Sequence, residues 1–148
     1  MSTNPTRVRV ADAAHRHWRM PRPLRAATRS FAEALFMSEE GPPPVERVDW
    51  LLDELDHYLA HAGSRAQLVF QSAVTGLLTL APLAIGKAPP LTRLSLEDRV
   101  HAIERVEQSS AGLSVLAAKT MLCFIWYEHP EVRRSVGVTD GCMVEGAS

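Results

Sequence analysis

The residues best suited to metal chemistry lie on one face of a predicted helix. Asp53, His57 and His61 are four residues apart, so their side chains project from the same side of the helix. Two histidines at this spacing can chelate zinc or another divalent ion. No glutamate stands between them to act as the base of an H-E-x-x-H site. Because acidic and histidine residues are common on the wet side of an amphipathic helix, the triad is a weak candidate metal site.

Neither cysteine of the chain has the surroundings of a nucleophile. Cys123 stands between Leu122 and Phe124 in an apolar run, where burial raises the thiol pKa, and we predict an inert core thiol. Cys142 lies in the polar segment TDGCMVEG beside no group that would activate it. The chain contains no G-x-S-x-G, P-loop or G-x-G-x-x-G sequence. We therefore expect no catalytic residue, no metal and no cofactor in this chain.

The charge of the chain is unevenly distributed, although the formal net charge is only -1. Residues 1–30 contain seven arginines and the single acid Asp12, whereas the remainder has nine basic and sixteen acidic residues. These arginines, with Trp18 among them, could contact nucleic-acid phosphates, but an acidic protein surface would serve equally well. We expect no nucleic-acid partner. No apolar segment follows the arginines, which predicts no secretory signal peptide and a location in the cytoplasm or at the membrane periphery. A periplasmic location is expected only if a partner carries the chain.

Helical periodicity accounts for most of the sequence, and only RVRV at 7–10 favours a strand. We predict an all-α bundle of five main helices and a short C-terminal helix. An irregular basic arm covers 1–22, the bundle covers 23–138, and a flexible tail covers 139–148. The predicted helices span, in chain order, 24–37, 45–62, 65–85, 96–107, 113–127 and 130–136.

Three residues are predicted to set the helix ends. Gly63 ends the second helix, and Ser64 caps the third. Ser95, with Asp98 three residues later, resembles a capping box at the start of the fourth helix.

Two predicted helices are apolar enough to raise the question of a membrane span, which needs about 20 mostly apolar residues. Segment 68–85 contains several polar residues and Pro82, whereas segment 113–127 is shorter and carries Lys119 near its middle. A charge at that depth is costly in lipid. We therefore interpret both segments as central helices of the bundle whose apolar sides meet the core or an interface, with peripheral membrane contact as an alternative.

Four motifs in a fixed order resemble a known family. FAEALFMSEEGPPP is followed by VERVDWLLDELDHYL, LTRLSLEDRVHAIERVEQSS and LAAKTMLCFIWYEHPEVRRSVGV. Their L-S-x-E-x-R entry to the fourth helix (94–99) and the spacing of Lys, Trp-Tyr, His-Pro and Val over 119–132 resemble small subunits of the gluconate 2-dehydrogenase subunit 3 type. They are equally similar to the helical N-terminal region of long-chain alcohol oxidases of the glucose–methanol–choline class.

The resemblance covers about residues 24–138, and the chain departs from the family pattern in two places. The I-G-Y sequence that usually follows the final helix in the family is V-G-V at 136–138 here. The twin-arginine signal of exported family members is not seen.

The resemblance implies a non-catalytic accessory subunit of a larger FAD-dependent enzyme. In such a hetero-oligomer the large subunit holds FAD and oxidises an alcohol, sugar or steroid-like hydroxyl group, so no catalytic residue transfers to this chain. The residues predicted to contact the large subunit are Trp50, Phe70, Lys119, Phe124, Trp126, Tyr127, His129, Arg133 and Arg134. The alternative interpretation is a stand-alone helical bundle that binds a lipid or another apolar ligand between its helices.

Overall fold

Six α-helices and one short 3-10 turn make up the structure, a computed structural model that describes residues 18–137. In chain order they are α1 (Arg22–Leu35), α2 (Val45–Ala62), α3 (Ser64–Ala84), the 3-10 turn (Leu91–Arg93), α4 (Leu96–Glu107), α5 (Gly112–Glu128) and α6 (Pro130–Ser135). No strand occurs within residues 18–137, and the predicted all-α bundle is confirmed. The predicted C-terminal tail, the RVRV segment and most of the basic arm lie outside the described residues.

The ends of the helices follow from local chemistry that was only partly predicted. Gly63 has a φ of 91°, which favours glycine, and it ends α2 as predicted. The prediction for Ser64 is wrong, because Gly63 also takes the N-cap position of α3 and Ser64 is the first helical residue. Ser95 caps α4 as predicted, since its side chain accepts a hydrogen bond from the Asp98 N–H at 3.2 Å.

Helix α3 lies at the centre of the bundle and contacts the other four long helices. Its buried side presents Phe70, Val74 and Leu77 to the core. The largest fully buried side chains of the core are Phe31, Phe70, Leu51, Leu52, Leu55, Leu59, Leu91 and Leu122. Burial of this apolar surface is the main term that holds the helices together.

Ion pairs between helices fix how the outer helices sit against one another. Arg25 of α1 bonds to Asp56 of α2 at 2.8 Å, and Arg99 of α4 bonds to Glu33 of α1 at 2.8 Å. Such partly exposed pairs each add little stability, but they are directional and select one register between neighbouring helices.

Candidate docking surface

Helix α5 has two apolar faces, and only one of them is covered by the bundle. The buried face presents Val115, Ala118, Leu122 and Trp126, which follow the three- and four-residue spacing of a single stripe. The opposite face is exposed, so the bundle of this chain does not cover α5 on all sides. Its most exposed large side chains are Leu113 at 79% and Phe124 at 73%, with Leu116 and Tyr127 more than half exposed.

We call the exposed face the outer stripe and define it by Leu113, Leu116, Thr120, Phe124 and Tyr127. At about 100° per residue, all five side chains point within about 40° of the direction of Thr120. The stripe carries no charge and runs for about 21 Å along the helix. An exposed apolar stripe of this kind on a small domain is a candidate interaction site.

Grooves flank the outer stripe on both sides. One groove of about 520 Å³ lies between α5 and α2, where Tyr58 faces Met121 and Ile125. A second, of about 440 Å³, lies on the other side and is lined by Lys119 and Cys123. The stripe is therefore a ridge between two depressions, a shape that side chains of another molecule can fill.

A third groove continues the apolar surface from α5 onto α3. It measures about 450 Å³ and lies between Leu68 and Val69 of α3 and Leu113 of α5. Helix α3 exposes Leu80 and Leu83 as well, so the bundle does not cover α3 on all sides either.

Helix α3 is the one helix among residues 18–137 that is long and apolar enough to cross a membrane. Only 28% of the most apolar 18-residue stretch of this helix is buried inside the structure. A core helix of a soluble protein meets the same criteria of length and composition, so this is weak evidence for membrane contact.

Aromatic contacts fix the C-terminal end of α5 against the bundle. The Trp126 ring stacks on Phe36 with 4.1 Å between the ring centroids and 9° between the planes. The Arg47 guanidinium lies 5.6 Å from the centroid of the Trp126 ring, within cation–π range. Trp126 is only 7% exposed and Phe70 only 1%, so both belong to the core rather than to a partner surface, in contrast to the prediction.

Four of the predicted contact residues lie on α6 or against it. The edge of the Trp50 ring meets His129 with 4.6 Å between the centroids. The Nδ1 atom of His129 accepts the Glu131 N–H at 3.3 Å and thereby caps α6. Arg134 bonds through Nε to the Pro130 carbonyl oxygen at 3.2 Å, and Arg133 is half-buried on the same short helix. The contacts of Trp50 and His129 position α6 directly after the C-terminal end of α5.

The flank of the outer stripe carries one ion pair and one thiol. The Lys119 ammonium lies 2.9 Å from the Glu107 carboxylate of α4, so its charge has a partner within the chain. Cys123 is half-buried beside the stripe, which corrects its predicted place in the core. Burial raises the pKa of the Cys123 thiol, and the charge of Lys119 opposes this only in part.

The candidate metal triad does not form a coordination site. The Asp53 carboxylate lies 2.6 Å from the Arg25 guanidinium, in a salt bridge that joins α2 to α1. The His57 and His61 rings lie 4.4 Å apart, and His61 Nδ1 is 2.8 Å from the His57 carbonyl oxygen. Among residues 18–137, no three His, Cys, Asp or Glu side chains are grouped to hold a metal ion.

The sequence-based prediction named Phe124 and Tyr127 of the outer stripe but not Leu113, Leu116 or the exposed leucines of α3. The sequence did contain a signal for Leu113 and Leu116, because Lys119 and Glu128 are the only charged residues of α5. Both charges lie well outside a stripe centred on Thr120 when the helix is projected at about 100° per residue.

Residues 18–137 form a small all-α bundle in which α5 exposes an uncharged apolar face and α3 exposes several leucines. The chain matches no protein-family model, no curated protein and no solved structure. The family resemblance of the four motifs therefore stays a prediction.

Proposed function

We propose that this chain is a non-catalytic accessory subunit that binds a larger FAD-dependent enzyme through the outer stripe of α5. The observation that carries the proposal is the exposure of Leu113 and Phe124 on a helix whose other face is already buried in its own bundle. The enzyme would be a glucose–methanol–choline-type dehydrogenase or oxidase acting on an alcohol, sugar or steroid-like hydroxyl group. FAD and the catalytic residues belong to that large subunit.

The composition of the surface supports a protein partner. Phe124 and Tyr127 are large aromatic side chains of the kind that act as anchors at interfaces. Charged residues stand at the margin, where Lys119 and the arginines of α6 lie, and the centre is apolar. An apolar centre with a polar rim is the usual anatomy of a protein interface.

An affinity pull-down of the tagged chain from its own cells tests this function. We expect a large protein and the absorption bands of a bound flavin in the eluate. The variant Phe124→Glu places a charge in the stripe and should reduce the co-eluting flavin at least about tenfold. The matched control Leu80→Glu places the same charge on an exposed leucine of α3 and should retain the flavin. A colourless eluate that contains the tagged chain alone would overturn the proposal.

A second candidate function is supported by the groove between α2 and α5. Its volume of about 520 Å³ is within the range of pockets that hold small apolar ligands. In this alternative the chain is a stand-alone bundle that binds a lipid or another apolar molecule against Tyr58, Met121 and Ile125. Uptake of an apolar dye by a monodisperse monomer, lost in Met121→Glu, would favour this function over the first.

For the location we propose the cytoplasm or the membrane periphery, and the exposed leucines of α3 support the second. Flotation of the chain with phospholipid vesicles, weakened in Leu83→Glu, would assign it to the membrane periphery. Chain that stays at the bottom of the gradient with and without the substitution would exclude binding to these vesicles and remove the support for the membrane periphery.

A further inference from the structure

The spacing of the outer stripe is the same in both directions along the helix. Leu113, Leu116, Thr120, Phe124 and Tyr127 are separated by three, four, four and three residues, so the pattern is symmetric about Thr120. An antiparallel helix pair with its two-fold axis at Thr120 would set Leu113 against Tyr127 of a second copy. It would set Leu116 against Phe124 of that copy. Self-complementarity of this kind is what a two-fold interface requires.

We propose that two copies of this chain pair antiparallel through the outer stripe when the large partner is absent. The dimer would cover the docking surface until the partner displaces one copy. Its regulatory role rests on the proposed function, whereas the pairing itself depends only on the stripe.

The charges at the ends of α5 favour the antiparallel direction. Glu128 is the last residue of the helix, where a negative charge is unfavourable to the helix dipole. The first turn of α5 carries no acidic side chain within the helix bounds Gly112–Glu128. In the antiparallel pair each Glu128 lies beside the first turn of the other α5, where a negative charge is favourable. A parallel pair would bring the two Glu128 side chains together.

Small residues beside the stripe allow the two helices to approach closely. Ala117 and Cys123 lie about 60° from Thr120 on opposite sides of the helical projection, so a small side chain borders the contact on each side. Lys119 is held by Glu107 on its own chain, which keeps its charge at the edge of the contact. The groove beside Tyr58 gives the exposed Phe124 ring of the second copy a place to lie.

The mass of the purified chain in solution is the first test. We expect light scattering during gel filtration to give twice the chain mass of 16.3 kDa for the native chain and the mass of a monomer for Phe124→Glu. Leu80→Glu, on α3, should leave the dimer intact. A native chain that keeps the single mass at concentrations of about 100 μM would overturn the proposal.

Disulfide trapping tests the position of the two-fold axis and does not require purification. Thr120→Cys, in a background where Cys123 and Cys142 are serine, should form an intermolecular disulfide under mild oxidation. The matched control is Thr79→Cys, since both threonines are exposed and bond through Oγ1 to the carbonyl four residues earlier, at 2.7 Å for Thr120 and 3.0 Å for Thr79. We expect trapping of Thr120→Cys to be at least about tenfold faster.

Equal trapping of the two cysteine variants would overturn the pairing through α5. Failure of the dimer and failure of the proposed function give different results. A monomeric chain that still co-elutes with a flavoprotein rejects only the dimer. A trapped dimer from cells whose eluate contains no flavin rejects only the accessory role.

Discussion

Helices α2 and α5 have almost the same length, 18 and 17 residues, but distribute their apolar residues differently. Helix α2 buries Leu52, Leu55 and Leu59 and places acids and histidines on the opposite side, so the bundle covers its apolar face. Helix α5 buries Leu122 and Trp126 and places Phe124 on the opposite side. The bundle therefore covers the single apolar face of α2, whereas α5 has a second apolar face that the bundle leaves exposed.

The largest expected effect separates the two faces of α5. Leu122→Ala removes a side chain that is 0% exposed and should lower the free energy of unfolding by about 2–5 kcal/mol. Phe124→Ala removes a larger side chain that is mostly exposed and should change it by no more than about 0.5 kcal/mol. Urea unfolding of the dilute, monomeric chain measures both. Similar losses for the two variants would mean that both faces are packed.

The junction between α4 and α5 sharpens the comparison, because it sets which face of α5 meets the bundle. A Cβ atom at Gly112 would lie 2.3 Å from the Glu107 carbonyl oxygen. Gly112→Ala should therefore destabilise the fold by about 1–3 kcal/mol, as the backbone must shift.

The matched variant Gly76→Ala in α3 meets no atom within 4 Å and should stabilise the fold by about 0.5–1 kcal/mol. Thermal and urea unfolding give the sign of each change. The same sign for both variants would contradict the close approach at Gly112.

A smaller effect distinguishes a helix start with a side-chain cap from one without. Ser95→Ala removes the acceptor for the Asp98 N–H and should destabilise the fold by about 1 kcal/mol. Ser64→Ala changes the first residue of α3, which is not in the cap position, and should have an effect below about 0.5 kcal/mol. Urea midpoints compare the two, and an equal loss in Ser64→Ala would assign a cap role to that serine after all.

The smallest effect concerns pH and the contact of α6 with α2. A hydrogen bond from Arg47, at 2.6 Å, holds the pKa of Glu131 below its ordinary value of 4.5. Because the folded-state pKa is lowered, the stabilisation is present above pH 4.5 and is lost as the pH falls through the folded-state pKa.

Glu131→Gln should therefore make the melting temperature fall less steeply between pH 5 and about pH 3. Glu40→Gln, an exposed glutamate of the loop before α2, is the control and should follow the native chain. If the melting temperature of Glu131→Gln falls with pH as steeply as that of the native chain, the Arg47–Glu131 ion pair does not contribute to the pH dependence.

The sequence predicted the helices well and the exposed surface poorly, for a physical reason. An amphipathic helix such as α2 shows by its own period which side is buried, so its bounds and its core leucines could be predicted. In α5 nearly every position is apolar, so the sequence of the helix alone cannot say which face is covered. Phe36 and Arg47 on other elements decide this by packing on Trp126.

Phe70 and Phe124 also show that the sequence of one helix does not determine which of its apolar side chains are buried. Both are phenylalanines in apolar helical runs and both were predicted to contact a partner. Phe70 is directed into the core because its side of α3 packs against the other long helices, whereas Phe124 points away from the bundle. Only tertiary packing distinguishes the two positions.

The most direct test of the central claim is the amount of flavin that co-elutes with the tagged native chain, Phe124→Glu and Leu80→Glu from the same cells. We predict flavin with a large protein for the native chain and for Leu80→Glu, and a loss of at least about tenfold for Phe124→Glu. Equal flavin in all three eluates would contradict docking through the outer stripe. No flavin in any of them would contradict the accessory role itself.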